Sequence, residues 1–156
     1  MNIRSITLIT ATALSGFIAA AQAQVKSAES ILKDIRVEGR VSFPEESLPF
    51  KINSTELSGS EAKTQVVEIA KALKSDAMAK LSFQITGFTC DLGSESHNLD
   101  LSQRRAAAIK ARLVTLGVPA GRLSPNGKGE AFPAVPNSSE QNRRQNRRVV
   151  ITPTKS

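Results

Sequence analysis

Residues 87–106, GFTCDLGSESHNLDLSQRRA, hold the only cysteine and the only histidine of this 156-residue chain. Three chemistries deserve weighing. Cys90 and His97 could form a nucleophile–base pair, but such a pair needs a third group to orient the base and donors to hold an oxyanion. Neither is visible, and a lone loop cysteine is more often a small packed residue. Cys90, Asp91 and His97 could hold a metal, yet they lack a close ligand pair at a standard spacing. Arg104 and Arg105 say more. Ser102 reads as a helix N-cap, which places both arginines in the first helical turn. Cations there oppose the helix dipole. Their presence suggests that a carboxylate sits against them, from Asp91, Asp100 or a ligand.

The elements around this stretch follow from periodicity. Residues 24–47 read either as a short strand pair or as a loose lead-in, with some alternation in IRVEGRVSF. LPFKINSTEL alternates Leu48, Phe50 and Ile52 with polar residues, predicting a half-buried strand. Ser58 or Ser60 then caps a helix with apolar positions Ala62, Val66, Ile69, Ala70 and Leu73. Leu81, Phe83 and Ile85 mark a second strand ending at Gly87. Ile109, Leu113 and Leu116 form the stripe of the next helix, stopped by Gly117, with Val118 folding back on it. RLSPNGKGE is a strand or turn. Ser138 and Gln141 form a capping box for a short helix, and RRVVITP closes as a strand. Alternating strands and helices predict an α/β sandwich with helices on a sheet.

The N-terminus carries one basic residue, Arg4, then an apolar stretch from Ile6 to Ala20, then Ala21-Gln22-Ala23. That layout predicts a secretory signal peptide over 1–23, cleaved after Ala23. The apolar part is too short and too polar to span a bilayer well. No cysteine follows it, so a lipid-anchored start is not expected. The expected mature chain, residues 24–156, is one exported domain; its net charge falls from +7 to +6 with the loss of Arg4. Outside the cytoplasm that charge points to cell-wall polymer, lipid head groups or acidic proteins rather than nucleic acid. The absence of Trp and Tyr argues against stacking on bases or sugar rings.

A resemblance rests on several motifs together. Gly87-Phe88-Thr89-Cys90, Gly93, and then Asn98, Leu101, Ser102, Arg105 and Ala106 match the spacing of Gly-His-Thr-Asp, Gly and Asn-x-x-Leu-Ser-x-x-Arg-Ala. LVTLGVPAGRLSPNGKGEAFP, the closing NRRVVI and the opening FKINSTEL extend the match over about residues 48–152. The chain resembles the peptidoglycan-binding domains typified by the C-terminal part of outer membrane protein A. The resemblance implies a two-layer α/β sandwich with helices packed on one mixed sheet, in the order β-α-β-α-β-short α-β over 48–156. It implies binding without catalysis, no cofactor and no metal, and peptidoglycan as the partner.

In that family a motif aspartate and an arginine fifteen residues later recognise the amino and carboxylate groups of the stem-peptide diaminopimelate. The arginine maps to Arg105 and the aspartate to Cys90, while Phe88 stands where the family has histidine. Thr89, Asn98 and Leu101 complete the implied site, with Arg148 as a second candidate arginine. An ordinary thiol stays neutral near pH 7 and cannot replace a carboxylate. Cys90 is therefore expected to pack as a small apolar residue, with Asp91 supplying the charge. The alternative reading is a periplasmic adaptor for another envelope protein, its wall site decayed with the loss of the acid.

Overall fold

The computed structural model describes residues 24–154. The signal-peptide expectation for 1–23 lies outside the described residues. Four helices alternate with four strands: α1 (Ala28–Glu38), β1 (Val41–Pro44), α2 (Gly59–Lys74), β2 (Ser82–Gly87), α3 (Glu95–Thr115), β3 (Leu123–Gly127), α4 (Glu140–Asn146) and β4 (Arg148–Thr154). The strands form one mixed sheet in the order β1-β4-β2-β3. β2 and β3 run parallel, Phe83 opposite Leu123, and β4 is antiparallel to both β1 and β2. Pro125, which cannot donate to a ladder, sits in the edge strand β3, where one side needs no partner.

Alternation along the strands gives the sheet two faces. Val41, Phe43, Phe83, Ile85, Val149 and Ile151 point into the core shared with the helices. α2 delivers Ala62, Val66, Ile69, Ala70 and Leu73 to that core, the set its periodicity predicts. Ile109 and Leu113 come from α3. The C-terminus of α3 closes as the sequence predicts. Gly117, at φ 93°, and Val118 donate to the carbonyls of Val114 and Leu113, and Val118 is buried. Among the described residues no helix is long and apolar enough to cross a membrane.

The N-terminal stretch is neither a strand pair nor a loose lead-in. Ser27 caps α1 by accepting from the Ser30 N–H, and Gly39 ends the helix in the left-handed conformation. The alternation in IRVEGRVSF straddles that helix end, with Ile35 and Val37 on the helix and Val41 and Phe43 on the strand. Ile31 and Ile35 are buried. Gln65, fully buried on α2, accepts from the Lys26 N–H at 2.7 Å and donates to its carbonyl at 3.0 Å, so the segment before α1 is stitched to α2.

LPFKINSTEL is likewise not a strand. β1 already fills the sheet edge beside β4, so this segment closes on itself through an isolated bridge between Phe50 and Leu57. Leu48 is buried as expected, whereas Ile52 is 92% exposed. Ser58, not Ser60, precedes α2, and its side chain makes no capping bond. The short helix is capped one residue later than predicted, by Ser139 accepting from the Asn142 N–H at 3.1 Å.

The largest revision concerns α3. It begins at Glu95, capped by Ser94, so Ser102 lies mid-helix. Its hydroxyl donates to the Leu99 carbonyl and accepts from the Gly129 N–H, both at 2.8 Å. Arg104 and Arg105 therefore lie deep inside the helix, and the dipole argument for them does not apply. α3 instead lies directly on the ends of β2 and β3. A Cβ on Gly87 would stand 2.4 Å from the Ser102 carbonyl oxygen, and one on Gly127 would stand 2.5 Å from the Gln103 nitrogen. Only glycine permits that approach, which sets the first half of α3 beside the loop after β2.

Candidate functional site

The loop after β2, the first half of α3, the 50–53 turn and the start of α4 surround a cleft of about 920 Å3. Thr89, Cys90, Asn98, Leu101 and Arg105 all line it, so the structure brings together five of the seven residues singled out in the sequence. Asn98 is a positioning residue. Buried on α3, its Nδ2 lies within hydrogen-bond distance of the Cys90 and Leu92 carbonyls and of Glu130 Oε2, at 3.2, 3.1 and 2.7 Å. It ties the 90–92 loop to the helix. Leu101 is buried beneath the cleft floor. The Thr89 hydroxyl oxygen is buried without a hydrogen-bond partner among the described residues. Such an atom costs roughly 1–3 kcal/mol unless a ligand or water satisfies it.

Arg105 is 8% exposed. Its Nε donates to the Ser54 carbonyl at 3.0 Å and its Nη2 to that of Lys51 at 3.3 Å, while the guanidinium lies 4.8 Å from the Phe50 ring centroid. Burial pulls its pKa below the usual arginine range; the Glu45 charge works against that shift and Arg147 adds to it. Among the described residues no carboxylate lies within ion-pair distance of Arg105. A guanidinium has five N–H donors, and these two bonds leave others unused. Arg104, by contrast, is an exposed residue paired with Asp100 at 2.7 Å.

Two residues lie elsewhere. Asp91 is not part of the cleft wall; its carboxylate accepts from Arg143 Nε at 2.9 Å, and that contact raises the Arg143 pKa. The charge expected from it is therefore turned away from Arg105. Arg148 lies on the outer face of the sheet, its guanidinium 3.9 Å from the Phe88 ring centroid and bonded to the Phe132 carbonyl at 2.9 Å. There it lines a separate groove with Ser42, Thr86 and Val150. Burial, with Arg40 nearby, lowers its pKa.

Of the two arginines in NRRVV the one that lines the cleft is Arg147, a residue the motif spacing did not single out. Arg147 is the C-cap of α4 and turns into the cleft, whereas Arg148 opens β4 and lies along the separate groove. Arg147 donates from Nε and Nη2 to Glu45 Oε2 at 2.9 and 2.6 Å, from Nη2 to Glu140 Oε1, and from Nη1 to Cys90 Sγ at 3.4 Å. Burial opposes its charge, but the bonds to Glu45, Glu140 and the cysteine sulfur outweigh that, and its pKa is raised. Glu45, Glu140 and Arg144 also line the cleft. Their convergence is set by tertiary structure, with Glu45 directly after β1 and Glu140 opening α4.

Cys90 is 5% exposed, packed as its thiol character predicts. His97 lines the cleft on an exposed first turn of α3. Among the described residues no group of three or more His, Cys, Asp or Glu could hold a metal ion. In the folded protein Cys90 should react with an aromatic disulfide reagent far more slowly than in denaturant. Equal rates under the two conditions would place the thiol at the surface.

The family model for OmpA matches residues 49–147. The chain belongs to the OmpA family. It is 36% identical over 93 residues to outer membrane protein A of Bordetella avium, covering 60% of this chain and 45% of that protein. It is 35% identical over 106 residues to the probable lipoprotein YiaD of Escherichia coli K12, covering 68% and 47%. The chain thus spans about half the length of the curated OmpA-family relatives it matches. Among solved structures it is similar to the cell wall anchor of the T6SS from Pseudomonas aeruginosa, with a TM-score of 0.64 at 26% identity over 85% of this chain and 99% of that one. The peptidoglycan-associated lipoprotein from Burkholderia pseudomallei gives a TM-score of 0.61 at 25% identity, over 72% and 89%. The α/β sandwich with one mixed sheet is the fold of these OmpA-like domains.

Proposed function

We propose that this chain binds peptidoglycan without altering it, through the cleft between α3 and α4, with Arg105 taking a carboxylate of the diaminopimelate-containing stem peptide. The observation that carries the reading is Arg105 itself: a buried cation in a cleft wall, held by two backbone carbonyls and with no carboxylate partner among the described residues. Burying a charge is costly unless it is paired, so a ligand carboxylate is the natural counter-ion. Thr89, unpartnered in the same wall, offers a neutral hydrogen bond. The names of the similar structures, a cell wall anchor and a peptidoglycan-associated lipoprotein, agree with this reading.

One zwitterionic side chain offers two or three charge-assisted hydrogen bonds of roughly 1.5–3 kcal/mol each, and ordering the ligand offsets part of that. The single-site Kd should fall between about 10 μM and 1 mM. A polymer with many copies compensates, because release from one is followed by capture at the next. The reading includes export, with cleavage after Ala23 placing residues 24–156 in the periplasm, which the mass of the N-terminal peptide from that fraction checks. Co-sedimentation with purified sacculi is the direct test. The protein should pellet with the insoluble wall, and full recovery in the supernatant at low salt would favour the adaptor reading instead.

A further inference from the structure

A diaminopimelate end carries an ammonium beside its carboxylate, and the residue expected to meet that ammonium is missing. Cys90 is buried and its sulfur accepts from Arg147. Asp91 is spent on Arg143, outside the cleft. The acids that do line the cleft are Glu45 and Glu140. Glu45 is the more enclosed, with 24% of its side chain exposed, and its Oε2 already takes both Arg147 nitrogens, with Arg144 Nε at 3.5 Å. Each of the two acids keeps one oxygen without a hydrogen bond among the described residues, and Glu140 differs in being open to the solvent-filled side of the cleft. Its side chain is 62% exposed, and Arg147 engages only Oε1. Oε2 has no hydrogen bond among the described residues.

We propose that Glu140 forms the ammonium subsite of this cleft, so that a ligand carrying a primary ammonium beside a carboxylate bridges Glu140 and Arg105. The inference rests on the peptidoglycan reading above and adds to it the residue that reads the amine. An ionised carboxylate accepts up to about four hydrogen bonds, so an ammonium can dock on Oε2 while the Arg147 contact stays in place. The hydrogen bond from Arg147 holds the Glu140 carboxyl below its usual pKa, so that at neutral pH the carboxylate is ionised while the ligand amine is charged. Arg147 then serves as the positioning residue, fixing Glu140 against Glu45 and against the sulfur that stands where the motif acid would be. The negative charge missing from residue 90 is supplied from α4, across the cleft.

The test uses a soluble muropeptide ending in diaminopimelate and the same muropeptide N-acetylated on that side-chain amine, each titrated calorimetrically into the purified protein. The parent should prefer the free amine by about tenfold, the contribution of one charge-assisted hydrogen bond. Glu140→Gln should bring that preference close to one by weakening the free-amine ligand more than the acetylated one, with a cooperative melt showing that the fold is kept. If Glu140→Gln keeps the tenfold preference, the amine is read elsewhere and the inference falls while the peptidoglycan reading stands. The same holds if the parent binds both ligands equally. If the parent binds neither muropeptide nor sacculi, the peptidoglycan reading itself fails and takes the subsite with it.

Discussion

Arg105→Ala should abolish co-sedimentation with sacculi, a loss of at least a hundredfold, or about 2.7 kcal/mol, in affinity for a soluble muropeptide. Two charge-assisted bonds to one carboxylate are enough to account for it. The same change should also lower the melting temperature by several degrees. Alanine removes the bonds to the Ser54 and Lys51 carbonyls and the contact over Phe50, which together hold the 51–56 turn against α3. A first-turn arginine opposing the helix dipole would have behaved in the reverse way, its removal leaving stability unchanged or raised. Arg105→Lys separates the two effects, because it keeps the charge but loses the planar fork that grips a carboxylate. It should melt closer to the parent and still bind poorly. If Arg105→Ala pellets with sacculi like the parent while melting lower, the arginine is structural only.

Gly127→Ala should cost about 3 kcal/mol and lower the melting temperature by roughly 10 °C. The added methyl would stand 2.5 Å from the Gln103 nitrogen and 2.7 Å from the Ser102 hydroxyl. The first of these is helix backbone, so α3 itself must shift. Gly87→Ala meets the Ser102 carbonyl and should behave alike. Gly121→Ala is the control. Nothing lies within 4 Å of its added methyl, and its change should stay within about 0.5 kcal/mol. Thermal unfolding of the three variants side by side checks the claim, and an unchanged Gly127→Ala melt would mean that α3 does not sit where the structure has it. Because α3 carries Asn98, Leu101 and Arg105, both close-contact variants should weaken ligand binding as well.

The sequence is readable where packing alone decides. Ala62, Val66, Ile69, Ala70 and Leu73 form a full apolar stripe, so α2 shows in the periodicity. The α3 C-terminus is equally plain, because Gly117 and Val118 do a local job that needs no knowledge of the rest. The start of α3 is hidden for a functional reason. ESHNLDLSQRR faces a cleft of mixed polar and apolar side chains instead of the core, so its helical phase lacks an apolar signature, and Ser102 is mistaken for a cap. α1 is hidden by coincidence, its end running into β1 with an alternation common to both. In the cleft, the motif spacing identifies Thr89, Cys90, Asn98, Leu101 and Arg105. It does not reveal that Arg147, and not Arg148, faces them, or that Asp91 turns to Arg143. Those choices depend on where α4 ends and β4 begins and on partners about fifty residues away in sequence.

The order β1-β4-β2-β3 puts the last strand of the chain between two earlier ones. β1 has β4 as its sheet neighbour, and β2 is paired on one side alone until β4 arrives. Nearly all of the domain must therefore be synthesised before its hydrophobic layer can close, and the contacts that close it join residues about a hundred positions apart. Folding that depends on such distant pairings is slow. A nascent chain of this topology is without its closing strand long after its first helices could have formed. The arrangement postpones cooperative folding to the moment of release, so a ribosome stalled before residue 148 would yield a chain open to proteases rather than a partly working binder.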